Sequence, residues 1–396
     1  VAVLTVDSVK VTNAAGVSQE RAKKAVPAQI AAVDLGPYQH YMQKEIFEQP
    51  RAIGDTVGHI EKIEPQVFGA TDADLNKVDS ILMLACGTSY YAACTAKYWL
   101  EDIAGIATQV EIASEYRYRK TVPNPNALVV VVSQSGETAD TLAALRHAQS
   151  LGHAETLAVC NVATSAMVRE TKYRFLTHAG TEIGVASTKA FVTQIVAVYL
   201  IGLKLAQVRG ELSEQEVRSL YQEMLELPGK VEQILETVEP LRSLSRKFAT
   251  NNTVLFLGRG IEYPIALEGA LKLKELAYIH AEGFAGGELK HGPIALIEEG
   301  TAVIAILPTA DEHQLDEKML SNIQEVKARG ARVIVIAAEG AVVVGAEHII
   351  RIPVASPLFQ PVLATIPLQV FAYEIAVARG TDVDQPRNLA KSVTVE

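Results

Sequence analysis

One stretch of the sequence concentrates hydroxyl and amide side chains, Ser133–Thr138 (SQSGET). It lies between an apolar run, Ala127–Val132, and a segment rich in helix formers, Ala139–Gln149. A loop that joins a buried strand to a helix presents unpaired N–H groups at the positive end of the helix dipole. With the hydroxyls and the amide, such a loop could hold a phosphate dianion. The Lys and the spacing of a nucleotide P-loop are absent, and the alternative is that Ser and Thr only cap the helix.

Two further loops carry hydroxyl groups where a helix is expected to begin. The first is Cys86–Ser89 (CGTS), which follows the apolar run Ser80–Ala85, and the second is Thr181–Lys189 (TEIGVASTK). Each could line a ligand site at the end of a strand. Helix capping is the alternative for both loops.

Lys272 and Glu275 lie three residues apart in a predicted helix, Ala266–Tyr278, so their side chains share one helix face. A surface salt bridge is the simplest interpretation. A carboxylate beside a cation could instead move a proton between neighbouring carbons of a sugar, because the cation stabilises the oxygen charge that develops.

His291 and the C-terminal tail are the remaining candidates. His291 lies in a polar loop, Gly287–Pro293. Histidine is the residue type best suited to proton transfer at neutral pH. The alternative is a surface histidine. Asp384–Lys391 is polar and broken by Pro386, so a loop is expected there, and a disordered end is the usual state of a terminus.

Continuous apolar runs alternate with helical segments around these residues, which predicts parallel sheets covered by helices on both faces. Strands are expected at Ser80–Ala85, Ala127–Val132 and Thr156–Val159. A second set recurs at offsets of 173 to 177 residues and includes Val303–Leu307 and Val333–Ala337. The fold class predicted is α/β, with two doubly wound, three-layer αβα domains related by duplication.

The chain divides accordingly into six predicted segments. They are a remnant of a preceding domain (1–28), a linker and helix (29–70, the helix at His40–Val57), a first sheet domain (71–211), a helical connector (212–247), a second sheet domain (248–383) and a tail (384–396). Residues 1 to about 20 alternate apolar and polar positions, a strand pattern too short to form a sheet by itself. The absence of an initial Met suggests a fragment whose N-terminus is missing.

The bulk composition restricts the partners. The 396 residues contain 36 Lys and Arg against 46 Asp and Glu, a net charge of −10, so no nucleic acid is expected as partner. The three cysteines fit neither a disulfide framework nor a zinc site, and we expect a cytoplasmic protein without a metal or cofactor. The most apolar stretch, Ala190–Leu205, is shorter than the ~20 residues of a membrane span and predicts a buried helix.

Taken together, these segments resemble the isomerase half of the glutamine:fructose-6-phosphate amidotransferases, also called the glucosamine-6-phosphate synthase family. The matching words are LACGTSY, SQSGETADTLAALR, GTEIGVASTKAF, GRGIEYPIALEGALKLKE, ELKHGPIALI and DVDQPRNLAKSVTVE. The resemblance implies two sugar isomerase (SIS) domains in a homodimer, with fructose-6-phosphate as substrate and glucose-6-phosphate or glucosamine-6-phosphate as product in amino sugar biosynthesis. It also implies a glutaminase domain in the full-length chain, and this domain is missing here.

The resemblance assigns a role to each candidate residue. Glu275 would be the base, with Lys272 beside it, while His291 from the partner subunit would open the sugar ring. Lys391 would contact the open-chain sugar and could form an imine, and the tail that carries it (384–396) would be a lid at the active site. The residues that would bind the substrate are Cys86, Gly87, Thr88, Ser89, Ser133, Gln134, Ser135, Thr138, Val185, Ala186, Ser187 and Ala390.

Two rival functions share the phosphate loop. A sugar-phosphate sensor would need no catalytic residues, and such regulators usually carry a DNA-binding module, of which the sequence shows no sign. A deglycase acting on amino-sugar conjugates would share the loop and the base, but the tail and the remnant at residues 1–28 are unlike such enzymes. The isomerase reaction is therefore the predicted function.

Overall fold

The computed structural model describes residues 1–20, 34–310 and 314–395. Val1–Leu35 and Gly36–Glu396 form two compact units. The sequence predicted one strand without a sheet in the first unit, and this is wrong. Asn13 accepts hydrogen bonds from the N–H groups of Ala15 and Val17, so the chain turns and pairs with itself. The result is a three-stranded antiparallel sheet of β1 (Ala2–Leu4), β2 (Val9–Thr12) and β3 (Ser18–Gln19). The predicted boundary at residue 28 lies outside the described residues.

The second unit begins with two helices, α1 (Tyr41–Phe47) and α2 (Gln49–Val57), where the sequence predicted one. The break falls at Glu48 because Pro50 has no N–H and its ring would clash with the preceding turn of a continuous helix. Proline fits the first turn of the new helix, where the N–H groups have no partner in the helix.

The first sheet domain contains five parallel strands in the order β5-β4-β6-β7-β8. Its central strands are fully buried, as their continuous apolar runs predict. Its elements are, in chain order, α3 (Asp72–Leu75), β4 (Ser80–Ala85), α4 (Gly87–Asp102), β5 (Ala107–Ile112), α5 (Ala113–Tyr116), β6 (Ala127–Ser133), α6 (Ala139–Ser150), β7 (Thr156–Cys160), α7 (Ala166–Glu170), β8 (Tyr173–Leu176) and α8 (Lys189–Arg209).

Three helices occupy the predicted connector: α9 (Glu214–Leu225), α10 (Leu227–Glu236) and α11 (Val238–Phe248). Pro228 and Pro240 lie in the first turns of α10 and α11, a position that proline tolerates, and each new helix starts there.

The second sheet domain repeats the topology of the first. Its parallel strands follow the order β10-β9-β11-β12-β13, which is the order of the first sheet, so two α/β domains of one topology are confirmed. Its elements are β9 (Thr253–Gly258), α12 (Glu262–Ala277), β10 (His280–Ala285), β11 (Ala302–Ile306), α13 (Leu315–Lys327), β12 (Arg332–Ala338), β13 (His348–Ile352) and α14 (Gln360–Arg379).

Two long apolar helices, α8 and α14, follow the last strands of the two sheets. By length and composition both could cross a membrane, and 89% of the most apolar window of each is buried within the protein. The predicted buried helix is thus confirmed, although at 21 residues α8 is longer than its apolar stretch suggested.

Helices α4 and α12 pack against each other and join the two sheet domains. Each helix follows the first strand of its sheet, so its first turn lies at the carboxyl edge, where parallel sheets bind ligands. The packing therefore brings the Cys86–Ser89 turn of one domain to the polar face of α12 in the other.

Candidate functional site at the junction of the two sheet domains

The Ser133–Thr138 loop turns sharply at Gly136, whose φ of +65° is a conformation that favours glycine. A Cβ atom there would lie 2.2 Å from the Ser165 hydroxyl, so no side chain fits. The Ser133 hydroxyl accepts from the Gly136 N–H at 3.0 Å and lies 3.2 Å from the Thr138 hydroxyl. Thr138 is the N-cap residue of α6, but its side chain accepts no hydrogen bond from the helix, so capping does not account for this hydroxyl.

The C-terminal tail covers this loop. The Ser392 hydroxyl lies 3.0 Å from the Ser135 hydroxyl, and the Val393 carbonyl accepts from the N–H of Ala139 at 3.0 Å. Ala139 is the first residue of α6, so a carbonyl of the tail accepts a hydrogen bond from one of the helix N–H groups that the predicted phosphate site would use. The tail has no helix or strand, as predicted, but it is docked.

The Cys86–Ser89 turn opens α4 and supplies the link to the second domain. The Thr88 hydroxyl accepts from the Lys272 ammonium at 3.0 Å and lies 3.3 Å from Glu268 Oε1, to which it donates. Cys86 is the N-cap residue, and burial raises the pKa of its thiol. Ser89 lies half-buried in the first turn of α4.

Glu268, Lys272 and Glu275 lie on one face of α12. The Lys272 ammonium lies 2.6 Å from Glu275 Oε2 and 3.4 Å from Glu268 Oε1. Only 1% of the Lys272 side chain is exposed, against 22% of that of Glu275. Burial would lower the pKa of Lys272, but Glu268 and Glu275 outweigh it and raise the pKa, so the lysine stays charged. Burial raises the pKa of Glu268 to about 8, although Lys272 opposes the shift.

Glu182 connects the third predicted loop to the tail. Its buried carboxylate accepts from the Lys391 ammonium at 2.6 Å and from the Ser187 hydroxyl at 2.8 Å. The N–H groups of Thr188 and Ala190 also donate to it. Burial favours the neutral acid, but the charge of Lys391 and these donors prevail and lower the pKa of Glu182 to about 2. Lys391 also donates to the Gly184 carbonyl at 2.7 Å.

Two more carboxylates hold the same loop and the tail. Glu45 accepts from the N–H groups of Ile183 and Gly184, and burial, assisted by the charge of Glu182, raises the pKa of Glu45 to about 8. Asp384 accepts from the first two N–H groups of α1, at 2.8 Å each, and so fixes the start of the tail.

The structure joins five of the predicted site residues in two clusters of contacts. Lys272, Glu275 and Thr88 form one cluster. Lys391 and Ser187 form a second cluster around Glu182. The negative charge of Glu182 contributes to the raised pKa of Lys272, which relates the two clusters electrostatically. The other predicted residues on these loops and the tail are Gly87, Gln134, Val185 and Ala390.

Ala186 and His291 are among the predicted residues that do not join these clusters through their side chains. The Ala186 side chain is 2% exposed and belongs to the hydrophobic core, so only its backbone can face a ligand. His291 ends a 3-10 helix and is exposed, and within the described residues no hydrogen bond or ion pair links it to Lys272, Glu275 or Lys391.

Four site residues were not predicted from the sequence: Glu182, Glu268, Glu45 and Asp384. Glu268 carried a signal, because it lies four residues before Lys272 and seven before Glu275, which places all three on one helix face. Glu182 could also have been noticed, because it is a carboxylate close to the start of an apolar helix. The partners of Glu45 and Asp384 are distant in sequence, so no local pattern indicated them.

In the described part of the chain, no group of three or more His, Cys, Asp or Glu side chains is arranged to hold a metal ion. Lys272 and Lys391 are cationic groups at the junction that could stabilise an oxyanion. The arrangement can therefore hold an anion at the Ser133–Thr138 loop and place a carboxylate beside an ammonium group near it.

Comparison with known proteins agrees with this geometry. The model of the SIS domain matches residues 74–204 and 247–379, and the chain belongs to the SIS-domain family, with two such domains in tandem. Within that family it is similar to the glutamine–fructose-6-phosphate aminotransferases (isomerizing). It is 55% identical to that of Bordetella parapertussis over 98% of this chain, and 50% identical to that of Neisseria meningitidis over 100% of this chain. The chain spans 63% and 65% of the lengths of these two relatives.

A solved structure shows the same relationship. The C-terminal domain of glucosamine-fructose-6-phosphate aminotransferase from Francisella tularensis is 42% identical and superposes with a TM-score of 0.85. That alignment covers 89% of this chain and all of the other. The predicted family resemblance is thereby confirmed.

Proposed function

We propose that this chain binds fructose-6-phosphate, opens its ring and isomerises the ketose to the aldose, as the isomerase part of a larger enzyme. The observation that carries the proposal is the 2.6 Å contact between the Lys272 ammonium and the partly exposed Glu275 carboxylate. A buried cation that stays charged keeps this carboxylate in position and can stabilise an enediolate oxygen. Glu275 can then move the proton between C1 and C2.

The proposed roles of the other residues follow from their positions. The phosphate would bind the hydroxyls of Ser133, Ser135 and Thr138 and the first N–H groups of α6. The Lys391 amine lies on the tail that covers this loop and would contact the open-chain sugar. An imine between this amine and the C2 carbonyl would belong to the amination reaction, where ammonia can displace the lysine, because moving the proton within that imine would leave the sugar bound to the lysine nitrogen. Imine formation releases water and requires the neutral amine, so Lys391 must first lose its proton to solvent, since Glu182, whose pKa is lowered to about 2, holds the ammonium but is too weak a base to accept the proton.

The larger reaction, the assembly and the location are part of the same proposal. The names of the relatives support glutamine-derived ammonia as nitrogen donor and glucosamine-6-phosphate as product, with a glutaminase domain to release the ammonia. A homodimer would bring His291 to the site of a second copy, which fits a histidine that is exposed and, in the part of the chain that is described, has no hydrogen bond or ion pair with Lys272, Glu275 or Lys391. The proposed location is the cytoplasm.

The test is glucose-6-phosphate formation from fructose-6-phosphate by the 396-residue chain, without glutamine. We expect turnover in the parent chain and a loss of at least 100-fold in Glu275→Gln, since general base catalysis contributes about 10²–10⁴-fold. Glu232→Gln, an exposed carboxylate on α10, is the matched control and should keep full activity.

The sensor function is the alternative outcome. Binding of fructose-6-phosphate without turnover in the parent chain, and with equal affinity in Glu275→Gln, would refute catalysis and support a sensor.

A further inference from the structure

A cavity of about 490 Å³ lies at the edge of the first sheet opposite the Ser133–Thr138 loop. Its wall includes residues 80–82 and 107–109, from the first halves of β4 and β5, and Ala127, the first residue of β6. A strand rises about 3.3 Å per residue, so the length of β6 separates Ala127 from Ser133 by roughly 20 Å. This amino-edge cavity is therefore separate from the site proposed for the sugar.

The charged groups of the amino-edge cavity favour an anion. Arg119 and Lys120 line it on the segment that follows α5. Arg119 contacts Glu111 through one of its five N–H groups, over 2.5 Å, and half of its side chain is exposed. Lys120 is exposed and forms no ion pair with any described residue. The carboxylate in the wall, Glu101, is already engaged by the Thr108 N–H and by Lys97.

The wall also contains polar atoms that the protein itself does not use. Tyr116, Thr121 and His153 line the cavity, and the Tyr116 hydroxyl, the Thr121 hydroxyl and His153 Nδ1 are buried without a hydrogen-bond partner among the described residues. Tyr116 is 2% exposed and His153 is 4% exposed. Burying a polar atom without a partner is unfavourable, and a bound molecule could relieve that cost only if the wall shifts to expose these atoms.

The size of the cavity narrows the class of molecule. About 490 Å³ falls within the range of small-molecule sites, roughly 300–1,000 Å³, and exceeds what a single ion fills. Adjacent Arg and Lys side chains are suited to phosphate oxygens, since Arg donates in a planar fork and Lys adds a point charge. Polar side chains that line the cavity, among them Gln109 and Asn124, suit the hydroxyls of an organic part.

We propose that the amino-edge cavity is a second binding site of this chain, which takes a small phosphorylated organic molecule, with Arg119 and Lys120 on its phosphate. The site is independent of the proposed isomerase reaction. Binding of the phosphate group of such a molecule can be tested with inorganic phosphate.

The test uses inorganic phosphate as the probe in equilibrium dialysis at pH 7. The chain carries Ser135→Glu in every sample, because a carboxylate in the Ser133–Thr138 loop repels phosphate from that site. We expect one phosphate bound per chain in this background and at least tenfold weaker binding once Arg119→Ala and Lys120→Ala are added. Lys77→Ala, an exposed lysine before β4 that does not line the cavity, should leave the affinity unchanged.

Two outcomes would overturn the proposal: no phosphate bound in the Ser135→Glu background, or equal affinity with and without Arg119 and Lys120. Both side chains lie at the surface, and circular dichroism checks that the variants are folded. Isomerase activity plays no part in the measurement, so failure here leaves the proposed function untouched.

Discussion

The Thr88 hydroxyl of the first SIS domain accepts a hydrogen bond from the Lys272 ammonium of the second, over 3.0 Å. The same hydroxyl lies 3.3 Å from Glu268. A side chain from one domain thus completes the polar cluster of the other. This contact makes the relative position of the two domains part of the site geometry.

Replacing Thr88 tests the link. Thr88→Val keeps the shape but leaves a buried ammonium with one partner fewer, so we expect a loss of about 1–3 kcal/mol in the free energy of unfolding. Thr88→Ser keeps a hydroxyl at this position and should retain most of the free energy of unfolding that Thr88→Val loses. Urea-induced unfolding followed by circular dichroism measures both, and equal stability of the two variants would contradict the proposed link.

Removing the buried cation should have a larger effect. Lys272→Met leaves Glu268 and Glu275 without their shared counter-charge, and taking one partner from a buried charge pair costs about 3–5 kcal/mol. Thermal unfolding at pH 7 measures the loss, with Lys318→Met, an exposed residue of α13, as control. A loss no larger than that of Lys318→Met would show that the Lys272 charge is not needed by the two carboxyl groups.

Glu262 predicts a particular dependence of stability on pH. Both of its oxygens are buried without a partner among the described residues, and burial raises its pKa to about 8. In the unfolded chain this pKa is about 4.3. The folded state therefore holds a proton that the unfolded state releases, so the stabilisation is complete below pH 4 and is lost as the pH rises towards 8.

We expect Glu262→Gln to remove this part of the slope, at most about 1.4 kcal/mol per pH unit. Unfolding in urea from pH 5 to pH 8 compares the two proteins, and Glu232→Gln should retain the slope of the parent. A Glu262→Gln profile parallel to that of the parent would show that the carboxyl is ionised in the folded state.

The tail predicts a change in hydrogen exchange. Lys391→Met removes the donor that binds Glu182 and the Gly184 carbonyl, so the tail should detach more often. The N–H of Ala139, which the Val393 carbonyl covers, should then exchange at least tenfold faster. Mass spectrometry of the exchanged chain measures this, with Lys290→Met as control. Unchanged protection of Ala139 would show that Lys391 does not hold the tail.

Strands buried on both faces could be predicted from the sequence, and edge strands could not. β4 and β6 are continuous apolar runs, and their positions were predicted to within one residue. Three strands at the edges of their sheets were not predicted. They are β5 (ATQVEI), β10 (HAEGFA) and β13 (HIIRI), and each mixes polar and apolar residues. A half-exposed strand carries no continuous hydrophobic signal.

The contacts of the candidate site could likewise be predicted within one helix, but not between distant segments of the chain. The spacing of Lys272 and Glu275 placed them on one helix face, and their contact is present. The Thr88 contact joins residues 184 positions apart, and the Lys391 contact with Glu182 joins residues 209 apart. Such contacts depend on how the domains and the tail pack, which no local pattern encodes.

The hydrogen bond between the Val393 carbonyl and the Ala139 N–H changes how an anion would be received. The N–H is already satisfied, so an arriving phosphate oxygen would replace one acceptor with another and would gain only the difference between them. Departure of the anion would be assisted in the same measure, because the carbonyl stands ready to return. Because the Val393 carbonyl can take the place of a phosphate oxygen, the chain would bind the anion less tightly and release it faster.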